Sequence, residues 1–336
     1  MAAGIHATKD RDRFDKQRRR RYNFFYKPDQ MSTRLGGAFF VYQSQRIRNR
    51  KENVIEIITS PARMQEQADN LRRAGKTIAF VPTMGCLHAG HLSLIRLAKT
   101  HGDHAVLSIF VNPTQFGPGE DFAAYPRQFE KDAQAAAGEG IDTIFAPRQD
   151  DLYNNKFETY VSLDKLPHHL CGLSRPHHFR GVATVVTKLF NIVKPHAAIF
   201  GEKDYQQLAI IRRLAADLNI DVKIIGAPII RENDGLAMSS RNIYLTPAQR
   251  PSALSLYRSL LMAAEMVRQG ETRAGRITEA VAQHIRACPE TDIDYITLCD
   301  PESLEEIETV AGKALMALAV RVGPKCRLID NMLLEK

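Results

Sequence analysis

The sequence predicts an α/β protein: a Rossmann-like, doubly wound parallel sheet followed by a smaller C-terminal α+β domain. Three observations predict it. From Val54 to about Ile230, short continuous apolar runs alternate with helical segments, the pattern of strands buried on both faces of a parallel sheet. After Ile230, two long helical segments precede three strand-like runs, an α+β order. Three of the earlier apolar runs end in loops rich in Gly, His, Asn, Gln and Lys, at the strand edge where open α/β sheets hold ligands.

The elements follow in chain order. Ser60–Gly75 reads as a helix, with Ser60 as N-cap, Pro61 in the first turn and Gly75 as the stop. Thr77–Val81 reads as a buried strand, Leu92–Lys99 as a helix and Ala105–Val111 as a second buried strand. Gln128–Ala137 is helical and Thr143–Ala146 a strand. Val182–Val193 is helical, Ala197–Phe200 a strand, Gln206–Leu218 a helix and Val222–Gly226 a strand. In the C-terminal part, Pro247–Gln269 and Arg273–Ala287 read as helices, and Asp294–Leu298, Ala314–Val320 and Cys326–Ile329 as strands. The boundaries are a basic extension over 1–52, the Rossmann-like domain over 53–228 and the smaller domain over 229–336.

Composition narrows the function class. The 336 residues carry a net charge of +8, with 44% hydrophobic residues and no Trp, a globular balance. No apolar run reaches the ~18–20 residues of a membrane span, and no apolar signal core opens the chain, so a cytoplasmic, non-membrane protein is expected. The cysteines Cys86, Cys171, Cys288, Cys299 and Cys326 are odd in number and scattered without a CxxC, which reads as reduced thiols. Residues 1–51 hold 14 Lys+Arg against 4 Asp+Glu, including Arg18–Arg21, and the rest is nearly neutral with 32 against 34. Nucleic acid is therefore expected only as a non-specific partner of the tail. The extension reads as a disordered tail or a start codon placed upstream, with a transit-like stretch after Met31 as the alternative.

The polar loops carry the chemistry. His88-Ala89-Gly90-His91 opens a helix, where residues three apart share a face. Both imidazoles are expected beside free first-turn amides, an anion site of dipole, backbone and ring donors. Gly90 is expected to admit a phosphate or adenine close to the backbone. Lys203, in Gly201-Glu202-Lys203-Asp204, is a point cation suited to polyphosphate, and Asp204 reads as a helix N-cap or a ligand-orienting carboxylate. Gln115 and Gln207 can hydrogen-bond an anionic substrate without repelling it. Met238-Ser239-Ser240-Arg241-Asn242 adds hydroxyls and a guanidinium.

Three other patterns are set aside. Asn70–Thr77 lacks the first glycine of a P-loop and precedes a strand instead of following one. His168, His169, Cys171, His177 and His178 match no zinc spacing. Phe116–Gly119 is no GxGxxG, so nicotinamide chemistry has no support.

Together these residues resemble the pantothenate synthetase (pantoate–β-alanine ligase) family. The matching stretches are Val81–Gly85, His88–His91, Phe110–Phe116, Tyr125–Arg127, His178–Val182, Phe200–Gln207, Ser239–Asn242 and Arg327–Asn331, in order from about Val54 to the C-terminus. The extension over 1–52 departs from the family, and Cys86 sits at a variable position. The resemblance implies a homodimer with a nucleotidyl-transferring α/β fold of the HxGH type. It implies a two-step reaction: (R)-pantoate and Mg-ATP give pantoyl adenylate and pyrophosphate, then β-alanine releases pantothenate and AMP. It implies ATP contacts at Met84, Gly85, Cys86, Leu87, His88, Ala89, Gly90, His91, Gly201, Glu202, Lys203, Asp204, Ile230, Met238, Ser239, Ser240 and Arg241. Gln115 and Gln207 match pantoate ligands, with Gln115 also near β-alanine. His91 matches the family's proton donor, and His88, Lys203 and Arg241 are expected to offset phosphate charge. The small domain and Phe116–Tyr125 are candidate lids. No metal ligand is identified; Mg2+ is expected to accompany ATP. The rival readings are another HxGH adenylyl-transferring enzyme, which the two glutamines oppose, and a nucleic-acid binder acting through the tail.

Overall fold

The computed structural model describes residues 45–48 and 54–336, Lys325 excepted. All of them belong to one unit, residues 43–336. The expectations placed on residues 1–44 and 49–53, Arg18–Arg21 among them, lie outside the described residues.

The larger sheet contains β1 (Gln45–Arg48), β2 (Val54–Ile58), β3 (Ile78–Thr83), β4 (His104–Ile109), β5 (Thr143–Phe145), β6 (Ala197–Gly201) and β7 (Lys223–Ala227). Its order is β1-β2-β5-β4-β3-β6-β7. β2 to β7 run parallel, and β1 pairs antiparallel to β2 at the edge. Side chains alternate along each strand, and both faces are covered. Ile78 and Phe80 enter one apolar cluster, Ala79 and Val81 the other, and all four are fully buried. Full burial of a side chain such as Phe80 is worth about 1.5–3 kcal/mol. From β3 the chain winds outward through β4 and β5, then returns to the other side of β3 for β6 and β7. The switch point lies between β3 and β6, where such sheets open a crevice.

The helices have the expected causes. Pro61–Arg73 starts with Ser60 accepting from Arg63 N, has Pro in the first turn and stops before Gly75, which takes φ 72°. His178–Val193 buries one broad face against β3 and β6 through Phe179, Val182, Val186 and Phe190.

The smaller sheet is antiparallel, in the order β10 (Cys326–Glu335), β9 (Lys313–Val322), β8 (Thr291–Cys299). Helices Arg250–Arg268 and Ala274–Arg286 cover one face, packing on Met316, Leu318 and Val320. The alternate residues Leu315 and Ala317 join the cluster that holds Phe179 and Phe200. Period-two alternation thus docks the small sheet onto the large one. The pattern change near residue 229 marks a new sheet whose other face is packed within the same unit.

Two strands are not legible in sequence. β2 reads only as the start of regular pattern. β1 lies inside the stretch read as an extension, and four residues are too few to display a period.

Candidate functional site

Beyond Thr83 the chain turns through Met84–Leu87 into helix Ala89–Ala98. The turn uses two successive left-handed residues, Gly85 at φ 82° and Cys86 at φ 52°. Such a turn aims consecutive N–H groups at one point. The Asp132 carboxylate fills that point, Oδ2 accepting from Cys86 N and Oδ1 from Leu87 N, both at 2.8 Å. Asp132 is 2% exposed, on helix Phe129–Gly138. A Cβ at residue 85 would lie 3.0 Å from Asp132 Oδ2 and 3.2 Å from Ile109 Cγ2, so packing and φ both require glycine.

His88 is the N-cap of the helix and His91 its third residue. His88 Nδ1 accepts from Gly90 N at 3.2 Å, and His91 Nδ1 accepts from His88 N at 3.4 Å. This is a capping box made from two imidazoles, with ring centroids 4.1 Å apart. An N–H donating into Nδ1 leaves the proton of a neutral ring on Nε2. Burial, then the charge of Lys203, pushes His88 down to about 4; burial, then His88, pushes His91 down to about 3. At neutral pH the pair therefore offers two neutral Nε2–H donors.

One expectation is corrected here. The amides of Cys86 and Leu87 are taken by Asp132, and those of His88 and Gly90 by the rings, so these four are not free for an anion. A Cβ at Gly90 would lie 2.9 Å from His88 Cε1 and Nδ1, so the absence of a side chain there makes room for the His88 ring.

The β4 loop supplies Gln115, on the single turn Pro113–Gln115. Its Oε1 accepts from Asn112 Nδ2 at 3.0 Å, and its Nε2 contacts Met84 Sδ at 3.1 Å. Its carbonyl oxygen faces His178 Nδ1 at 2.9 Å and accepts from Arg175 at 3.3 Å. Asn112 Nδ2 also donates to Gly181 O at 3.1 Å. Arg175 holds Glu120 through two bonds of 2.5 and 2.9 Å.

Beyond β6, Asn331 on β10 donates to the carbonyls of Glu202 and Lys203 at 3.0 and 2.9 Å. Its neighbour Asp330 receives both arms of Arg231, at 2.6 and 3.0 Å. The small sheet thereby fixes the Gly201–Asp204 backbone while Lys203 Nζ stays beside Asp204 Oδ2 at 3.7 Å. Asp204 occupies the N-cap position of helix Tyr205–Asp217, one of its two expected roles, with no side-chain capping bond. Gln206 is buried, with Nε2 donating to Leu166 O and His169 O. Gln207 is half-buried, with no side-chain hydrogen bond among the described residues.

Met238 N donates to Ile230 O at 2.9 Å, and Met238 Cβ sits 3.8 Å from where a Gly90 Cβ would be. Ser240 Oγ donates to Cys86 O at 3.2 Å. Arg241 reaches Asp121 Oδ1 at 3.1 Å. The loops around 84–91, 112–116, 201–207 and 238–241 are thus linked at the C-terminal edge of the sheet. Of the His168–His178 group, His178 serves this edge by holding Gln115. Among the described residues no three His, Cys, Asp or Glu side chains group to hold a metal. A groove of about 600 Å³ between residues 161–166, helix Tyr205–Asp217 and the 300–305 turn shares no residue with these loops. No helix among the described residues is long and apolar enough to cross a membrane.

Asp132, Asn112, Arg175, Glu120, Asp121 and Asn331 carry no site role in the sequence reading. Asn112 and Asn331 lie in matching stretches, but nothing in those stretches says what either side chain holds.

Burial, then Arg175, also pushes His178 down to about 4. Three neutral histidines set a pH dependence. Their folded values lie below the unfolded ~6.5, so the unfolded chain binds more protons between about pH 6.5 and 4, and stability falls as pH falls through that window. Urea denaturation is expected to show a loss of stability from about pH 7 to about 4.5, before most carboxylates titrate. Equal stability at both pH values would show that these rings do not stay neutral.

A family model described as Pantoate-beta-alanine ligase matches residues 56–333. The pantothenate synthetase of Desulfatibacillum aliphaticivorans is 58% identical over 281 residues, covering 84% of this chain and all of that protein. That of Geobacter sulfurreducens is 56% identical over 280 residues, covering 83% of this chain and 99% of that protein. A crystal structure of the Thermus thermophilus pantothenate synthetase superposes with a TM-score of 0.78 at 42% identity, over 82% of this chain and 98% of that one. A Francisella tularensis pantoate-β-alanine ligase, solved with beta-gamma ATP and β-alanine, gives 0.67 at 35%, over 82% of this chain and 97% of that one. With the sheet order, the linked loops and near-complete coverage of these relatives, this chain belongs to the pantoate–β-alanine ligase family.

Proposed function

We infer that this chain condenses (R)-pantoate with β-alanine at the expense of ATP, through a pantoyl adenylate. The observation that supports the site assignment is the meeting of four loops at the β3/β6 switch point. Lys203 lies close enough to His88 and His91 to act on both rings, Ser240 bonds to Cys86 O beside Arg241, and the Gln115 carboxamide contacts Met84 of the same turn.

ATP lies along Met84–His91, Gly201–Asp204, Ile230 and Met238–Arg241, and Mg2+ enters on its phosphates. The pantoate carboxylate, held by Gln115 and Gln207, attacks the α-phosphorus as pyrophosphate leaves. Charge growing on the phosphates meets His88, His91, Lys203 and Arg241, all set in place before the reaction. The backbone N–H groups that donate into both Nδ1 atoms keep the ring protons on Nε2, so each imidazole acts as a neutral donor to the charge that grows on the phosphates. The β-alanine amine then attacks the acyl carbon, forming the amide as AMP leaves. Two copies of the chain, as a homodimer, are the proposed assembly.

Product analysis tests the reaction. AMP and pyrophosphate are expected only with pantoate present, and pantothenate only after β-alanine is added; release of ADP would sink the reading. Gln207→Ala is expected to raise the pantoate KM much more than the ATP KM, because Gln207 has no bond in the ATP-side loops. Equal losses would show that the two substrates are assigned to the wrong loops.

A further inference from the structure

Two adjacent acids on the segment after Gln115 are held by arginines from different parts of the fold. Glu120 pairs with Arg175, which precedes helix His178–Val193 and also donates to Gln115 O. Asp121 pairs with Arg241, on the turn Ser240–Tyr244. Arg241 and Asp121 side chains are 35% and 28% exposed, so the pair is partly shielded and within reach of solutes. Around it lie the Tyr125 hydroxyl, close to both Arg241 and Ser240, and the Ser240–Cys86 bond. The Asp204 carboxylate, beside Lys203, also acts on Arg241. The guanidinium thus already carries an anionic oxygen at 3.1 Å, within the loops assigned to ATP.

We propose that Asp121 is a placeholder for a nucleotide phosphate, a specificity-determining residue that holds Arg241 in place until a phosphate oxygen displaces its carboxylate. This rests on Arg241 being a phosphate-binding residue, as inferred for the proposed function. A guanidinium presents its donors in a fixed fork and binds carboxylate and phosphate oxygens with the same geometry, so one group can substitute for the other. The exchange favours polyanions: a phosphate chain reaching His88, His91 and Lys203 as well gains contacts that a monoanion cannot make. Glu120 has a different partner, Arg175, and stays with it, so the segment remains tethered on the Gln115 side when Asp121 lets go.

The test is a double-mutant cycle read by calorimetry with α,β-methylene-ATP on the full chain. Asp121→Asn is expected to tighten nucleotide binding about threefold to fivefold, the upper range for releasing a partly shielded ion pair. Arg241→Gln is expected to weaken it at least ~10-fold. In the Arg241→Gln background, Asp121→Asn is expected to change nothing beyond about twofold. Pantoate affinity in Asp121→Asn stays as in the parent, which separates the effect from a general loosening of the loop; Asp121→Ser repeats the measurement if the asparagine variant folds poorly. Unchanged or weaker nucleotide binding in Asp121→Asn, with Arg241→Gln still impaired, overturns the placeholder alone. Tightening that persists without Arg241 also overturns it, since the carboxylate would then act only as general charge. Unchanged binding in Arg241→Gln would overturn the phosphate role of Arg241 itself, and the placeholder with it.

Discussion

Replacing Lys203 by Ala is expected to slow adenylate formation at least ~10²-fold, because one preorganised transition-state donor is typically worth about 2.7–4 kcal/mol. The same loss is expected for His91→Ala, but that variant also removes half of the capping box, worth about 1 kcal/mol of helix stability. The structure supplies a cleaner pair. Glutamate at the third helical position accepts from the N-cap amide in an ordinary capping box and has no N–H to donate. His91→Glu is therefore expected to keep the His88 N–H satisfied and the fold intact while losing the Nε2–H donor. Lys203→Ala should also fold normally, since Asn331 holds the loop through its carbonyls and not through the lysine side chain. Single-turnover measurement of pyrophosphate release decides the point. A near-parental rate in either variant, with unchanged thermal midpoint, removes that residue from the chemistry.

The residues that share a sequence motif are legible, and those that reach across the fold are not. His88–His91 can be placed on a helix start because four residues and a preceding apolar run suffice for that reading. The direction of their Nδ1 atoms cannot be read, so the amides look free when the rings in fact consume two of them. Asp132 looks like an ordinary acid in the first turn of a helix, where the dipole favours one. Its role depends on lying beside a loop 45 residues earlier. Asp330 and Asn331 are visible only as part of a matching stretch. Their reason is the docking of β10, which alternation in β9 foreshadows: one face for its own helices, the other for the larger sheet. The strands β1 and β2 escape notice because four or five residues beside a charged extension show no period.

Gly181→Ala is expected to be among the most damaging one-methyl changes near the acid-substrate side. A Cβ at residue 181 would lie 2.4 Å from Thr114 O, 2.5 Å from Thr114 C and 2.6 Å from Gln115 N. Neither partner can withdraw freely. The helix is fixed by Val182, Val185, Val186 and Leu189, all buried in the main cluster. The loop is tied to the same helix by Asn112 to Gly181 O and by Gln115 O to His178. Relief therefore requires moving Gln115, and overpacking of this kind costs about 1–3 kcal/mol. The pantoate KM is expected to rise at least ~10-fold, with a smaller change for ATP, whose loop keeps its separate Asp132 anchor. Gly275→Ala is the control: it too lies in a helix, and a Cβ there meets nothing within 4 Å. That change should stabilise by up to about 0.5 kcal/mol, since Gly275 is in the first turn of its helix and carries part of the entropic cost that glycine has in a helix interior. The same added methyl thus has opposite expected signs at two helical glycines, decided by what each Cβ would meet. An unchanged pantoate KM in Gly181→Ala would mean that the loop yields without moving Gln115, and the helix would lose its role in positioning the substrate side of the crevice.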